Sequence, residues 1–158
     1  GLHSADIDIV APLHEIPVED GFFDGIVCNA VLEHVSNPEE VMAEFARVSK
    51  PGALLYLCVP FMQPEHLDPT DFQRYTIDGL QLLAERHGFD VREADGMHNV
   101  YVTLGWIMRE WLKASDRPHF RIARRLIFPW LARKAKTSPL YVRSPASAYR
   151  GVAVRRPS

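Results

Sequence analysis

Two apolar runs decide the fold: Phe23-Asp24-Gly25-Ile26-Val27-Cys28-Asn29-Ala30 and Ala53-Leu54-Leu55-Tyr56-Leu57-Cys58-Val59. The first reads as a buried strand. The second is near-continuously apolar, the mark of a strand covered on both faces. Between them Asn37 precedes Pro38, and Glu40 stands three residues after Asn37. That pattern predicts an N-cap, a proline at the first helical position and a reciprocal capping acid. Val41, Phe45 and Val48 continue at helical spacing, and Lys50-Pro51-Gly52 stops the helix.

Working outward, Asp6 to Val10 alternates polar and apolar residues as a short strand does. Ala11 to Asp20 holds two prolines and ends in an acidic turn. Downstream, a polar loop runs from Pro60 to Tyr75. Thr76 can cap a helix with Leu80, Leu83 and Ala84 on one stripe, and Gly88 stands where a C-cap glycine belongs. Phe89 to Ala94 predicts a strand, and Val100 to Lys113 a helix rich in Trp and Leu. Phe120 to Lys136 predicts a basic helix interrupted near Pro129. Ala148 to Val154 predicts a last strand. Strands alternating with helices imply an α/β fold, a mostly parallel sheet with helices on both faces.

With 158 residues, one domain is the natural expectation. Hydrophobic residues at 47% and charged residues at 24% are ordinary for a globular chain. A net charge of -2 argues against general nucleic-acid binding. No apolar run nears the ~20 residues needed to span a bilayer, and no signal-peptide pattern opens the chain. Cys28 and Cys58 sit inside strand-like runs. They read as buried reduced thiols, which fits a cytoplasmic setting, with a disulfide between neighbouring strands as the other reading.

The run Ile16-Pro17-Val18-Glu19-Asp20-Gly21-Phe22-Phe23-Asp24, its strand, and Val31-Leu32-Glu33-His34-Val35 together resemble the middle of class I S-adenosylmethionine (SAM)-dependent methyltransferases. Arg47-Val48-Ser49-Lys50-Pro51-Gly52 and the strand ending in Val59-Pro60 continue the likeness. The segment His66-Leu67-Asp68-Pro69-Thr70-Asp71-Phe72-Gln73-Arg74-Tyr75-Thr76, with Tyr149-Arg150-Gly151-Val152, is similar to a bacterial, type 11-like subgroup. Each motif alone is weak; the combination is specific.

The resemblance implies a Rossmann-like sheet of family order 3-2-1-4-5-7-6. Here it predicts only strands 4-5-7-6, the last antiparallel. The chain then divides into a remnant of the third strand with its loop (1–20), an α/β core (21–96), a helical insertion (97–146) and the final strand (147–158). It also implies SAM as cofactor. Such a site needs a tight glycine turn and an acid for the ribose, yet no Gly-x-Gly occurs in the chain. The missing part is expected before Gly1, and SAM binding is expected to be impaired. The position of the family's adenine-binding acid aligns with Pro12, so Leu13 and His14 would face the adenine through backbone groups. Asn29, Ala30 and Val31 should line the cofactor cleft at a strand's carboxyl end.

On the acceptor side the resemblance points to His34, Asp71 and Arg74. His66 is the candidate general base toward an acceptor hydroxyl or amine. The plainer reading makes Asp71 and Arg74 an ion pair that pins the loop, with His66 on the surface. No metal site is expected, since the spacing of His34, His66 and Asp68 matches no standard one.

The leading function is a SAM-dependent methyltransferase, here as an inactive fragment, acting on a small-molecule, lipid or sugar-linked acceptor. The alternative is a non-catalytic, methyltransferase-like binding or membrane-peripheral module. Arg121, Arg124, Arg125, Arg133, Lys134 and Lys136 surround apolar residues, so segment 118–136 either lies on an anionic membrane or is half solvated and half packed. Losing strands 1 and 2 leaves an exposed sheet edge, which predicts residues 1–20 loose, re-paired, or exchanged in a homodimer.

Overall fold

The computed structural model describes residues 7–65, 70–115, 117–138 and 146–157. Strand β1 (Phe23–Asn29) leads into a single 3-10 turn (Leu32–His34), helix α1 (Pro38–Val48) and strand β2 (Ser49–Pro60). Helix α2 (Ile77–Arg86), strand β3 (Phe89–Met97), helices α3 (Val100–Lys113) and α4 (Pro118–Thr137), and strand β4 (Ala148–Arg155) complete the order. The sheet runs β1-β2-β4-β3. β1 and β2 are parallel, and β4 is antiparallel to both of its neighbours. This is the expected 4-5-7-6 arrangement with its last strand reversed.

Strand alternation sorts the sheet's two faces. Cys28, Leu55, Leu57, Val59, Tyr149 and Ala153 point one way and pack against Val41, Met42 and Phe45 of α1 and Ile77, Leu80, Leu83 and Ala84 of α2. The sequence put helices on both faces. The opposite face, built from the register Val27↔Tyr56↔Val152 and Gly25↔Leu54↔Val154, leaves Val27 77% and Leu54 55% exposed. Cys28 and Cys58 are free and buried, and they point to opposite faces, so they cannot pair.

Several boundaries differ from the sequence expectation. Residues 7–10 form no strand and are exposed, because among the described residues no neighbouring strand satisfies their backbone. Val48 ends α1, and Lys50-Pro51-Gly52 lies within β2, with Gly52 at φ +83°. Asn37 does cap α1 by position, but its side chain makes no capping hydrogen bond. Thr76 does cap α2, its hydroxyl accepting the Gly79 N–H at 3.1 Å. Helix α4 runs unbroken through Pro129. The ring removes one backbone donor, and packing on α3 holds the two halves together: Tyr101 meets Trp130 at 5.7 Å and Trp111 meets Phe120 at 5.3 Å between ring centroids.

Candidate functional site

The parallel strand β1 ends at Asn29, which is exposed at the sheet's carboxyl edge. Ala30 then turns at φ +53°, a left-handed conformation that strains a residue with a Cβ, and its N–H donates to the Cys58 carbonyl at 2.9 Å. The Val31 carbonyl accepts the His34 N–H at 2.9 Å. Leu32 and Glu33 are wholly buried beneath this turn. So Asn29, Ala30 and Val31 sit together at a strand tip, the place where open α/β sheets bind ligands.

Segment 70–76 is stapled onto that turn. The Gln73 amide donates to the carbonyls of Leu32 (3.0 Å) and Val35 (2.8 Å). The Phe72 N–H donates to the Glu33 carbonyl at 2.8 Å, and His34 Nδ1 donates to the Thr70 carbonyl at 2.5 Å. His34 Nε2 stands 3.8 Å from Glu33 Oε1. Arg74 pairs with Asp71 through both guanidinium nitrogens, and it also donates to the carbonyls of Gln73 and Pro64. With Asp71 committed to Arg74, this pair holds the loop's shape. A cavity of about 370 Å³ opens beside it, lined by Gln63, Glu65, Asp71, Phe72, Gln73 and Arg74. His66, the candidate base, lies outside the described residues.

Leu13 and His14 sit in a turn closed by the Glu15 N–H on the Pro12 carbonyl at 3.0 Å. Leu13 packs against the core and His14 is exposed. The segment after this turn is clamped to α1. Arg47 donates to the carbonyls of Val18 (2.9 Å) and Ile16 (2.9 Å) and to Asp20 and Glu44, while Glu44 accepts the Ile16 N–H at 2.7 Å. The Arg47 guanidinium holds the Glu44 carboxyl below the usual carboxylate range.

Burial governs the two cysteines. It pushes the Cys28 thiol up to about 12, with nearby Glu33 adding to the effect, and it raises Cys58 as well. Neither thiol is a nucleophile near neutral pH. Among the described residues, no group of three or more His, Cys, Asp or Glu could hold a metal ion.

Two features escaped the sequence reading. One is the Gln73 staple, whose partners lie about 40 residues away in the chain. The other is a cavity of about 330 Å³ between α3 and α4, lined by Trp106, Arg109, Phe128 and Leu131 among others. Its residues form no motif. Only the (i, i+3) spacing of Trp106 and Arg109 hinted that they share a helix face.

Residues 3–57 match the family model described as a methyltransferase domain. The chain is 34% identical over 61 residues to an uncharacterized 37.1 kDa protein in a transposon of Streptomyces fradiae, an overlap of 39% of this chain and 18% of that protein. Its fold is similar to that of the [4+2]-cyclase SpnF, with TM-score 0.58 and 18% identity over 94% of this chain and 55% of that one. It is also similar to phosphoethanolamine N-methyltransferase 2 of Haemonchus contortus, solved with SAM, with TM-score 0.54 and 14% identity over 93% of this chain and 36% of that one. Further solved structures that share the fold are named as methyltransferases.

The match over residues 3–57 and the shared fold are consistent with a class I methyltransferase of the type 11 kind. Within this chain the family match occupies residues 3–57, and the likeness of fold extends over nearly all of it. The chain spans well under two thirds of the length of these three relatives: 18%, 55% and 36%.

Proposed function

We propose that this chain forms the acceptor-side half of a SAM-dependent methyltransferase site. The observation that carries the reading is the joining of the β1 tip to segment 70–76. Four hydrogen bonds tie Leu32, Glu33, His34 and Val35, the turn that follows Asn29, Ala30 and Val31, to Thr70, Phe72 and Gln73, the segment that holds Asp71 and Arg74. Bound SAM would supply the activated methyl group, and the protein would supply alignment. This chain's residues fit only part of that cofactor. The strand tip offers an edge with a free side at Asn29, and Leu13 and His14 offer a turn. No Gly-x-Gly turn is present for the methionine end. We therefore expect weak SAM binding and no turnover from this chain alone, with His66 as the candidate base toward a small-molecule, lipid or sugar-linked acceptor. Two buried free thiols support a reducing, cytoplasmic setting.

Titration of the labelled chain with SAM to millimolar concentration, monitored by amide chemical shifts, tests this. Shifts centred on residues 29–31, saturating only at high concentration, are expected. Absence of change at the strand tip would remove the cofactor assignment. A micromolar dissociation constant by calorimetry would remove the expectation of impaired binding.

The alternative, a non-catalytic module that docks through its basic helix, is favoured by one specific observation. The α3–α4 pair exposes apolar side chains beside its cations.

A further inference from the structure

We infer that the α3–α4 hairpin is a docking surface for anionic membranes. It lies on the surface of the bilayer and does not cross it: no described helix is long and apolar enough to span a membrane. The first observation is the distribution of charge. Segment 100–137 holds nine Lys and Arg against two Asp and Glu, a net +7, whereas the whole chain is -2. The rest of the molecule is therefore net acidic, and half of the chain's 18 Lys and Arg are gathered on this one segment. Helix α4 has no acidic residue at all.

The second observation is independent of charge. Leu104, Ile107 and Trp111 succeed one another on α3 at spacings of three and four. Ile122, Leu126 and Trp130 do so on α4 at spacings of four. Each set forms one stripe of its helix. All six are between 38% and 68% exposed. The packed residues of the pair, Thr103 and Leu112 on α3 and Leu131 on α4, lie off these stripes. Each stripe's tryptophan also touches the other helix, Trp111 against Phe120 and Trp130 against Tyr101.

These two features together select the partner. Aliphatic and indole side chains reach the boundary between headgroups and acyl chains, while Lys and Arg stay among anionic headgroups. A nucleic acid would use the cations but has no acyl layer for Leu104, Ile107, Ile122 and Leu126. A second copy of the chain would bring a second +7 surface to this one.

Co-sedimentation of the full chain with vesicles tests the inference, using phosphatidylcholine alone and phosphatidylcholine with 30% phosphatidylglycerol. Binding to the anionic vesicles is expected, weakening about tenfold or more as salt rises from low to several hundred millimolar. The double variant Arg124→Glu/Arg125→Glu should lose at least about tenfold in partitioning. Leu126→Gln/Trp130→Gln should lose a similar factor while keeping the same salt dependence. Tryptophan emission should shift to the blue on binding. All four altered side chains are half-buried or exposed, and an unchanged far-ultraviolet circular dichroism spectrum confirms that each variant folds. Three results would overturn the inference: no binding to anionic vesicles, equal binding to both vesicle types, or a vesicle affinity that Leu126→Gln/Trp130→Gln leaves intact. Sedimentation velocity showing that this apolar variant only abolishes a dimer would do the same.

Discussion

Gly88 is the position where one atom decides most. It ends α2 at φ +78°, and a Cβ built there would stand 2.4 Å from Arg155 Nη1. That guanidinium crosses the turn to reach the carbonyls of Gly88 (3.0 Å) and Ala46 (3.1 Å) and lies over the Phe89 ring. Gly88→Ala therefore adds left-handed strain and displaces Arg155. We expect a loss of about 1–2 kcal/mol or more, seen as a melting temperature lower by roughly 2–4 °C per kcal/mol. Gln73 offers the contrasting case. Gln73→Ala leaves the Leu32 and Val35 carbonyls without that amide, at a cost of about 1–3 kcal/mol. Hydrogen exchange should then quicken at Phe72, whose N–H is bonded to the Glu33 carbonyl. Gly88 was legible in the sequence because a helix stop needs positive φ within one turn. Gln73 was not, because an amide in a polar loop carries no sign of which distant carbonyls it meets.

At the scale of elements, local signals named the pieces and tertiary contacts moved their ends. Asn99 caps α3 by accepting from the Tyr101 and Val102 N–H groups, so that helix begins at the expected residue. Pro129 suggested a break in α4 that contacts with α3 override. Asp6–Val10 alternates like a strand in sequence, yet its described residues 7–10 form none, since alternation alone needs a neighbour to pair with. In the candidate site the (i, i+3) Asp71–Arg74 pair was readable, whereas the clamp of Arg47 on residues 16–20 joins an arginine to carbonyls some 30 residues earlier. That clamp depends on an ionised Glu44. Its pKa is depressed in the folded protein, so the stabilisation is present above the unfolded value and is lost as pH falls through the folded one. Limited proteolysis between Ile16 and Gly21 should accelerate as pH falls through and below the ordinary carboxylate range, ahead of loss of helix signal. Equal rates at pH 3 and pH 7 would contradict the clamp. The strands carry the opposite sign. Cys28 is raised to about 12, so the folded state holds its proton more tightly than the unfolded chain does. Its effect is absent at neutral pH and destabilises progressively above the unfolded thiol value near ~8.5, by up to about 1.4 kcal/mol per pH unit until the folded value is reached. Denaturant midpoints for the wild type and Cys28→Ala should converge as pH rises from 8 to 10.

At the scale of the whole molecule, the described residues build a four-stranded sheet with one packed side and a second side left open at Val27 and Leu54. β1 is an edge strand with no described partner beyond it, and it is parallel to β2 in a sheet that is otherwise antiparallel. Parallel strands are ordinarily covered on both faces. Here Val27 stands 77% exposed beside Tyr56, with Leu54 one pair further along the same face. Free backbone groups and an apolar face at one edge are a template for pairing with another chain. The expectation is reversible self-association through β1, distinct from any docking by α3 and α4 at the other end of the chain order. Val27→Lys places a charge on the bare face without touching the packed one, since Cys28 and Ile26 carry the core side of that strand. It should weaken the association constant at least about tenfold in sedimentation equilibrium, while leaving partitioning onto anionic vesicles unchanged. A wild-type chain that stays monomeric at hundreds of micromolar would show that the edge is guarded by something other than a second copy.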